Sequence, residues 1–231
     1  MQQNVDQQEI EKFARLAAQW WDPNGDLKTL HQINPIRLSY ILEKTPLKNQ
    51  TILDVGCGGG ILAESLAHHG ARVTGIDMNA AAINVANLHQ KANMGIEYLT
   101  ITAEALTLER PAAYDIVTCF ELLEHVPHPI SIIKACYSIA KPGGHIFFST
   151  LNRNIKSYLF AIIGAEYCLK LLPKNTHDFS KFIRPSEIAT WIRDAGLQLN
   201  EFKGISYNII TQQFHLTNSI SVNYLCHAKR P

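Results

Sequence analysis

"TILDVGCGGG", residues 51–60, decides the fold. An apolar run carries Asp54 near its end, and of the five residues after Val55 only Cys57 is not glycine. Directly downstream, "ILAESLAHHG" has the composition of a helix closed by Gly70. A strand that turns through glycines into a helix is the first unit of an α/β layer. Gly56, Gly58 and Gly60 permit backbone angles closed to other residues, and they let a ligand approach the main chain with no Cβ in the way. A tight strand-to-helix turn with no ligand is the alternative reading of the same glycines.

Further along the chain the alternation persists. "RVTGIDM" predicts a strand, "AAAINVANLHQKA" a helix and "IEYLTI" a third strand. "YDIVTCF" predicts a fourth strand, "PISIIKACYSIA" a helix, "KPGG" a turn and "HIFFST" a fifth strand. Strands and helices in alternation form a mostly parallel sheet covered on both faces, and continuous apolar strands suit such burial. Upstream, residues 9–21 have helical spacing. Asn34 and Pro35 mark the cap and first turn of a second helix with Leu38, Ile41 and Leu42 inward. Past Asn154 the alternation stops. Residues 157–172 are apolar, "PKNTHDFSKF" is polar, and "RPSEIATWIRDAG" is a helix with Ser186 near its start and Gly196 past its end. "LQLNEFKGI" and "SISVNYLCHAK" close the chain as strands. The expected organisation is one domain: a helical cover (1–48), a cofactor-binding core (49–153), an apolar insertion (154–184), and a C-terminal helix with strands (185–231).

A net charge of +1 and 18% charged residues in 231 give no basic stripe, so nucleic acid is not an expected partner. Five widely spaced cysteines without a CxxC pair read as buried thiols in a reducing compartment. The opening "MQQNVDQQEIEKF" is neither a signal nor a transit peptide, and no apolar run reaches the ~20 residues that span a bilayer. A cytoplasmic location is expected.

The glycine spacing is G-x-G-x-G, and Ile61 stands where a dinucleotide fingerprint has its third glycine. Asp54, two residues before the first glycine, disfavours a pyrophosphate and suits a cationic group. Asp77 ends the second strand, where an acid hydrogen-bonds ribose hydroxyls. A cationic nucleoside without a diphosphate fits, and S-adenosylmethionine is one. After the fourth strand, "FELLEHVPHP" places Glu121, Glu124 and His125 at the carboxyl edge of the sheet. Helical turning would converge the three on one face. His125 is a candidate general base there.

"LDVGCGGG", "VTGIDM", "YDIVTCFELLEHV" and "KPGGHIFFST" resemble the ordered motifs of class I S-adenosylmethionine-dependent methyltransferases. "KFARLAAQWWDPNGDLKTLHQINPIRLSYI", "STLNRNIKSYLFAIIGAEY" and "THDFSKFIRPSEI" narrow the likeness to the O-methyltransferases of ubiquinone biosynthesis, over nearly the whole chain. The resemblance implies a Rossmann-like, seven-stranded sheet whose last strand is antiparallel. It implies cofactor contacts at Arg37, Gly56, Asp77 and Phe120, the last where a Met is usual, beside Asp54 and Gly58. It implies magnesium at Glu121, Glu124 and His125, with Glu121 and His125 as catalytic candidates. The implied substrates are polyprenyl catechols, met through a peripheral membrane contact at 157–172 on the inner face, with other enzymes of the pathway as partners. The competing readings are another methyl acceptor, a nicotinamide-dependent reductase, and a non-catalytic nucleoside-binding or membrane-docking module.

Overall fold

The computed structural model describes residues 4–158, 178–208 and 210–231. Its helices are α1 (Gln7–Leu16), α2 (Lys28–Lys44), α3 (Ile61–His68), α4 (Ala80–His89), α5 (Ala103–Glu109), α6 (Pro129–Ile139), the single turn α7 (Ile155–Ser157) and α8 (Pro185–Asp194). Its strands are β1 (Thr51–Val55), β2 (Arg72–Ile76), β3 (Glu97–Leu99), β4 (Tyr114–Phe120), β5 (Ala140–Leu151), β6 (Gln198–Asn208), β7 (Gln213–Thr217) and β8 (Asn223–Lys229).

The strands form one sheet in the order β3-β2-β1-β4-β5-β8-β6-β7. β1 pairs in parallel with both β2 and β4. The chain therefore winds outward from β1 to β3, then crosses back to β4 and winds the other way. That reversal opens a crevice beyond the carboxyl ends of β1 and β4, the place where such sheets bind ligands. Adjacent residues on each strand serve opposite layers. Leu53, Val117, Ile146 and Phe148 pack on α5, α6 and α8, while Ile52, Ile116 and Phe147 pack on α2, α3 and α4.

The sheet has eight strands where seven were expected. β8 runs antiparallel between β5 and β6, as the resemblance implied for the last strand, and β7 adds a hairpin on β6. β7, "QFHLT", buries no residue fully and sits at the sheet edge, so it lacks the apolar run that marks an inner strand.

Three local expectations are corrected. α2 starts at Lys28, and Pro35 lies inside it. Asn34 caps nothing; its amide donates to Ser65 Oγ at 2.8 Å, and burial of Ile33, Arg37, Tyr40 and Ile41 holds the helix despite the proline. Leu42 is 40% exposed, so the inward stripe is shifted from the one the apolar letters suggest. "KPGG" is part of β5, opposite a register irregularity between Tyr114 and Ile116.

Most of the apolar stretch 157–172 lies outside the described residues, as does Cys168. The other four cysteines are buried free thiols. No helix among the described residues is long and apolar enough to cross a membrane.

Candidate active site

The glycine turn is pinned before anything binds to it. Gly56 and Cys57 donate their N–H groups to Ile76 O at 2.8 and 3.0 Å, and Gly58 N–H donates to Asp77 Oδ2 at 2.9 Å. Gly56, Gly58 and Gly60 have φ of +74°, +52° and +89°, a region that penalises side chains. The sequence suggested that the bare main chain waits for a ligand. Part of that space belongs to the protein itself: a Cβ on Gly58 would lie 2.1 Å from Trp20 Cζ2, and one on Gly59 would lie 2.3 Å from Trp20 Cγ. Trp21 adds a second tie, donating Nε1–H to Gly59 O at 2.9 Å and stacking on His89 at 3.5 Å. The N-terminal cover is thus seated directly on the loop.

At the switch point a cavity of about 580 Å³ opens. Arg37, Asp54, Gly56, Gly58, Asp77, Phe120, Glu121 and His125 all line it, as do Glu9 and Trp20. The volume falls within the ~300–1,000 Å³ usual for small-molecule sites. Of the residues singled out from sequence, Glu124 and Gly60 are not on its wall.

The end of the cavity near β1 and β2 is acidic. Asp54 is 4% exposed and accepts from Thr118 Oγ1 at 2.7 Å. Burial raises its carboxyl to about 6, against the lowering effects of Thr118 and Arg37. Asp77 is raised too, by burial, although Asn79 N–H and Gly58 N–H both donate to it. Each carboxylate oxygen keeps a second lone pair, so ribose hydroxyls can still be received. Arg37 is buried, with its guanidinium 5.5 Å over the Phe120 ring. Its Nη2 lies 2.6 Å from Glu121 Oε1 without hydrogen-bond alignment, and its Nε has no hydrogen-bond partner among the described residues. An orphaned buried guanidinium nitrogen is costly, and a carboxylate ligand would satisfy it. Buried acids beside a carboxylate receptor fit a zwitterionic amino-acid group, and Asp77 fits a nucleoside: together, S-adenosylmethionine.

Past β4 the three candidate ligands each have a partner of their own, and the Glu124 carboxyl also feels the charges of His125 and Glu121. Glu121 sits at φ +50°, with its N–H donating to Ser149 O and Oγ, and its side chain meets Arg37 and Asn223. Glu124 is 3% exposed and accepts from Thr150 Oγ1 at 2.9 Å, while its Oε1 has no hydrogen-bond partner among the described residues and burial raises its carboxyl. His125 Nδ1 lies 3.0 Å from Glu9 Oε2. Among the described residues no three His, Cys, Asp or Glu side chains gather as a metal site. Only Leu123–His125 turns helically, as one 3₁₀ turn, so Glu121 is not carried onto a shared helical face.

Glu9, Trp20, Thr118 and Asn223 went unread as site residues. Their partners lie 116, 38 or more, 64 and 102 positions away or belong to a loop, so no local spacing announces them. The adjacent tryptophans before "DPNG" were the one usable signal, since large aromatics seldom sit together at an exposed helix end.

Strand order, the glycine turn at the switch point, and acids facing a buried arginine define a class I S-adenosylmethionine-dependent methyltransferase fold and site. A family model described as a methyltransferase domain matches residues 9–201. Among solved structures, magnesium protoporphyrin IX methyltransferase from Synechocystis PCC 6803 with bound SAH has the same fold. It has a TM-score of 0.68 at 18% identity, covering 96% of this chain and 94% of that one. A SAM-dependent methyltransferase from Methanosarcina mazei has a TM-score of 0.60 at 22% identity, covering 82% and 96%. Curated relatives named ubiquinone biosynthesis O-methyltransferase are 55% identical. The one from Pseudomonas savastanoi pv. phaseolicola matches over 98% of both chains, and that from Saccharophagus degradans over 98% of this chain and 97% of its own. This chain belongs to the ubiquinone biosynthesis O-methyltransferase family.

Proposed function

We propose that the chain moves the methyl group of S-adenosylmethionine to a phenolic hydroxyl of a polyprenyl catechol, a 3-polyprenylbenzene-1,2-diol, and of 3-demethylubiquinol. One observation carries this reading: a cavity with a cation-seeking acid, Asp54, and an anion-seeking base, Arg37, also has His125 on its wall. Family membership supplies the class of acceptor.

The donor brings a methyl carbon on a positively charged sulfur, open to direct displacement. Arg37 receives the donor's carboxylate, Asp54 faces its ammonium, and Asp77 takes its ribose hydroxyls. Much of the acceleration comes from holding oxygen, carbon and sulfur in line. A phenol near ~10 is mostly protonated at neutral pH, so a base must take its proton as the bond forms. Glu121, Glu124 and His125 would hold a divalent ion, and the buried Glu124 Oε1, without a hydrogen-bond partner among the described residues, fits such a role; the ion when bound would stabilise the phenolate. Without an ion His125 is the leading base.

The test is methyl transfer from labelled S-adenosylmethionine to the prenylated catechol, with product read by mass spectrometry. His125→Asn is expected to lose about 10²–10⁴-fold in rate. No transfer to either acceptor by folded, cofactor-binding protein overturns the function. Loss of activity on chelation, restored by Mg²⁺, is expected; activity undiminished by thorough chelation would overturn the ligand role of Glu121, Glu124 and His125 and leave His125 as the base.

A further inference from the structure

Asn34 lies on α2 one turn before Arg37, on the same face of the helix, and lines the cavity with it. It is only 8% exposed. One end of its amide is already engaged: Nδ2 donates to Ser65 Oγ at 2.8 Å and to Ile61 O at 3.4 Å. Ser65 Oγ itself donates to Ile61 O at 3.0 Å, so the hydroxyl has no proton left for Asn34 and can only accept from it. Turning the amide over would set its oxygen against the carbonyl oxygen of Ile61. The nitrogen is therefore fixed toward α3, and Oδ1 is the pole that remains. That oxygen is buried and has no hydrogen-bond partner among the described residues. A buried acceptor with no donor is costly, and what it lacks is an N–H or O–H.

The neighbours say which donor. Arg37, with its Nε also lacking a hydrogen-bond partner among the described residues, calls for an anion, and Asp54 on the same wall calls for a cation. Side chains one turn apart on a helix stand ~5–6 Å apart at Cβ, a spacing that suits the two charged groups carried by a single α-carbon. We propose that Asn34 is a specificity-determining residue for the methyl donor: its Oδ1 accepts a hydrogen bond from the ammonium of S-adenosylmethionine while Arg37 takes the carboxylate. The inference rests on the S-adenosylmethionine reading of the cavity and deepens it. Asp54 and Asn34 divide the work. The carboxylate supplies charge, and the amide supplies direction, because Ser65 and Ile61 hold its carbonyl in one orientation that only a donor can satisfy. A nucleoside that lacks the ammonium leaves Oδ1 as unsatisfied as before, so the site selects the zwitterion and not the nucleoside alone. The contact between α2 and α3 is thereby part of donor selection.

The test compares S-adenosylhomocysteine with its desamino analogue, in which hydrogen replaces the amino group, by calorimetry on the full-length wild type and on Asn34→Ala. Asn34→Ala should bind S-adenosylhomocysteine roughly 10–100-fold more weakly, the loss of one hydrogen bond to a charged group, and the analogue within about twofold of wild type. Equal losses for the two ligands would reduce Asn34 to packing between α2 and α3 and overturn the proposal. So would an unchanged affinity for S-adenosylhomocysteine in Asn34→Ala, or a wild type that binds both ligands equally well. Folded wild type that binds neither overturns the cofactor reading itself. A crystal structure of the wild type with S-adenosylhomocysteine bound decides the matter even where Asn34→Ala fails to fold. Oδ1 within about 3.2 Å of the ammonium nitrogen is expected, and a separation beyond ~4 Å, or a reversed amide, overturns the proposal.

Discussion

Replacing Gly58 with alanine tests whether the loop's glycines serve the protein's own packing as well as its ligand. The new Cβ would lie 2.1 Å from Trp20 Cζ2 and 2.7 Å from Cη2, against ~3.5–4.0 Å for a relaxed carbon contact. Trp20 is 7% exposed and packs with Leu27, Ile61 and Ala82, so the ring has nowhere to slide. Ejecting it should cost about 3 kcal/mol, near the low end of Trp→Ala losses. The positive φ adds ~1–2 kcal/mol. Gly58→Ala should therefore lose about 4–5 kcal/mol, or roughly 8–20 °C in melting temperature for a chain of this size. Gly56→Ala is the control: its nearest contact, with Leu122, is 3.2 Å and soft, so mainly the backbone strain of ~1–2 kcal/mol should appear. With Trp20→Ala already made, Gly58→Ala has no ring to displace and should add only the strain. The double-mutant cycle should then show coupling of about 3 kcal/mol between sites 38 residues apart in sequence. Urea unfolding of the four proteins without ligand measures it. Additivity within ~0.5 kcal/mol would refute the packing argument.

Asp54 gives a proton-linked prediction. Its folded value of about 6 lies above its ordinary 3.8, so the native state holds the extra proton between those values. Stability from this group is complete below pH 3.8 and is lost as pH rises through about 6, at a cost of roughly 3 kcal/mol. Cationic S-adenosylmethionine should expel that proton, so calorimetry near pH 5.5 in buffers of different ionisation enthalpy should report release approaching one proton, absent in Asp54→Asn. Buffer-independent heats would count against it. Deleting residues 157–180 should abolish liposome association and turnover of long-tail substrate while cofactor binding survives; unchanged liposome binding contradicts the membrane contact.

The core was legible because each of its signals is local. β4 occupies the seven residues of "YDIVTCF", and β1 the five of "TILDV", since inner strands are apolar without interruption and turns follow them at once. Pro35 misled because the rule that puts proline at a helix start is a local tendency, while the burial of Ile33, Tyr40 and Ile41 is a tertiary gain. The candidate cofactor residues share one cavity for a different reason: topology carries Asp54, Asp77 and Phe120 to adjacent strand ends at the carboxyl edge of the sheet. The partner of His125 was not legible, since Glu9 stands 116 residues away on another helix.

The two ends of the cavity manage buried charge in opposite ways, and the difference bears on order of binding. At the His125 end, Glu9 is compensated by an imidazole and a lysine and is held low. At the β1 end, Asp54 and Asp77 are raised by burial, with Arg37 the nearby cation and its Nε unsatisfied. Removing partners from buried charge costs several kcal/mol, so the compensated end is stable as it stands while the other is stabilised by a zwitterion with the matching pattern. A neutral catechol relieves none of this. The donor should therefore bind tightly to the empty enzyme, and the acceptor should enter a site whose charges are already settled. Such an order also removes Asp54 as a competing base, because a carboxylate already paired with an ammonium is a poor base at neutral pH.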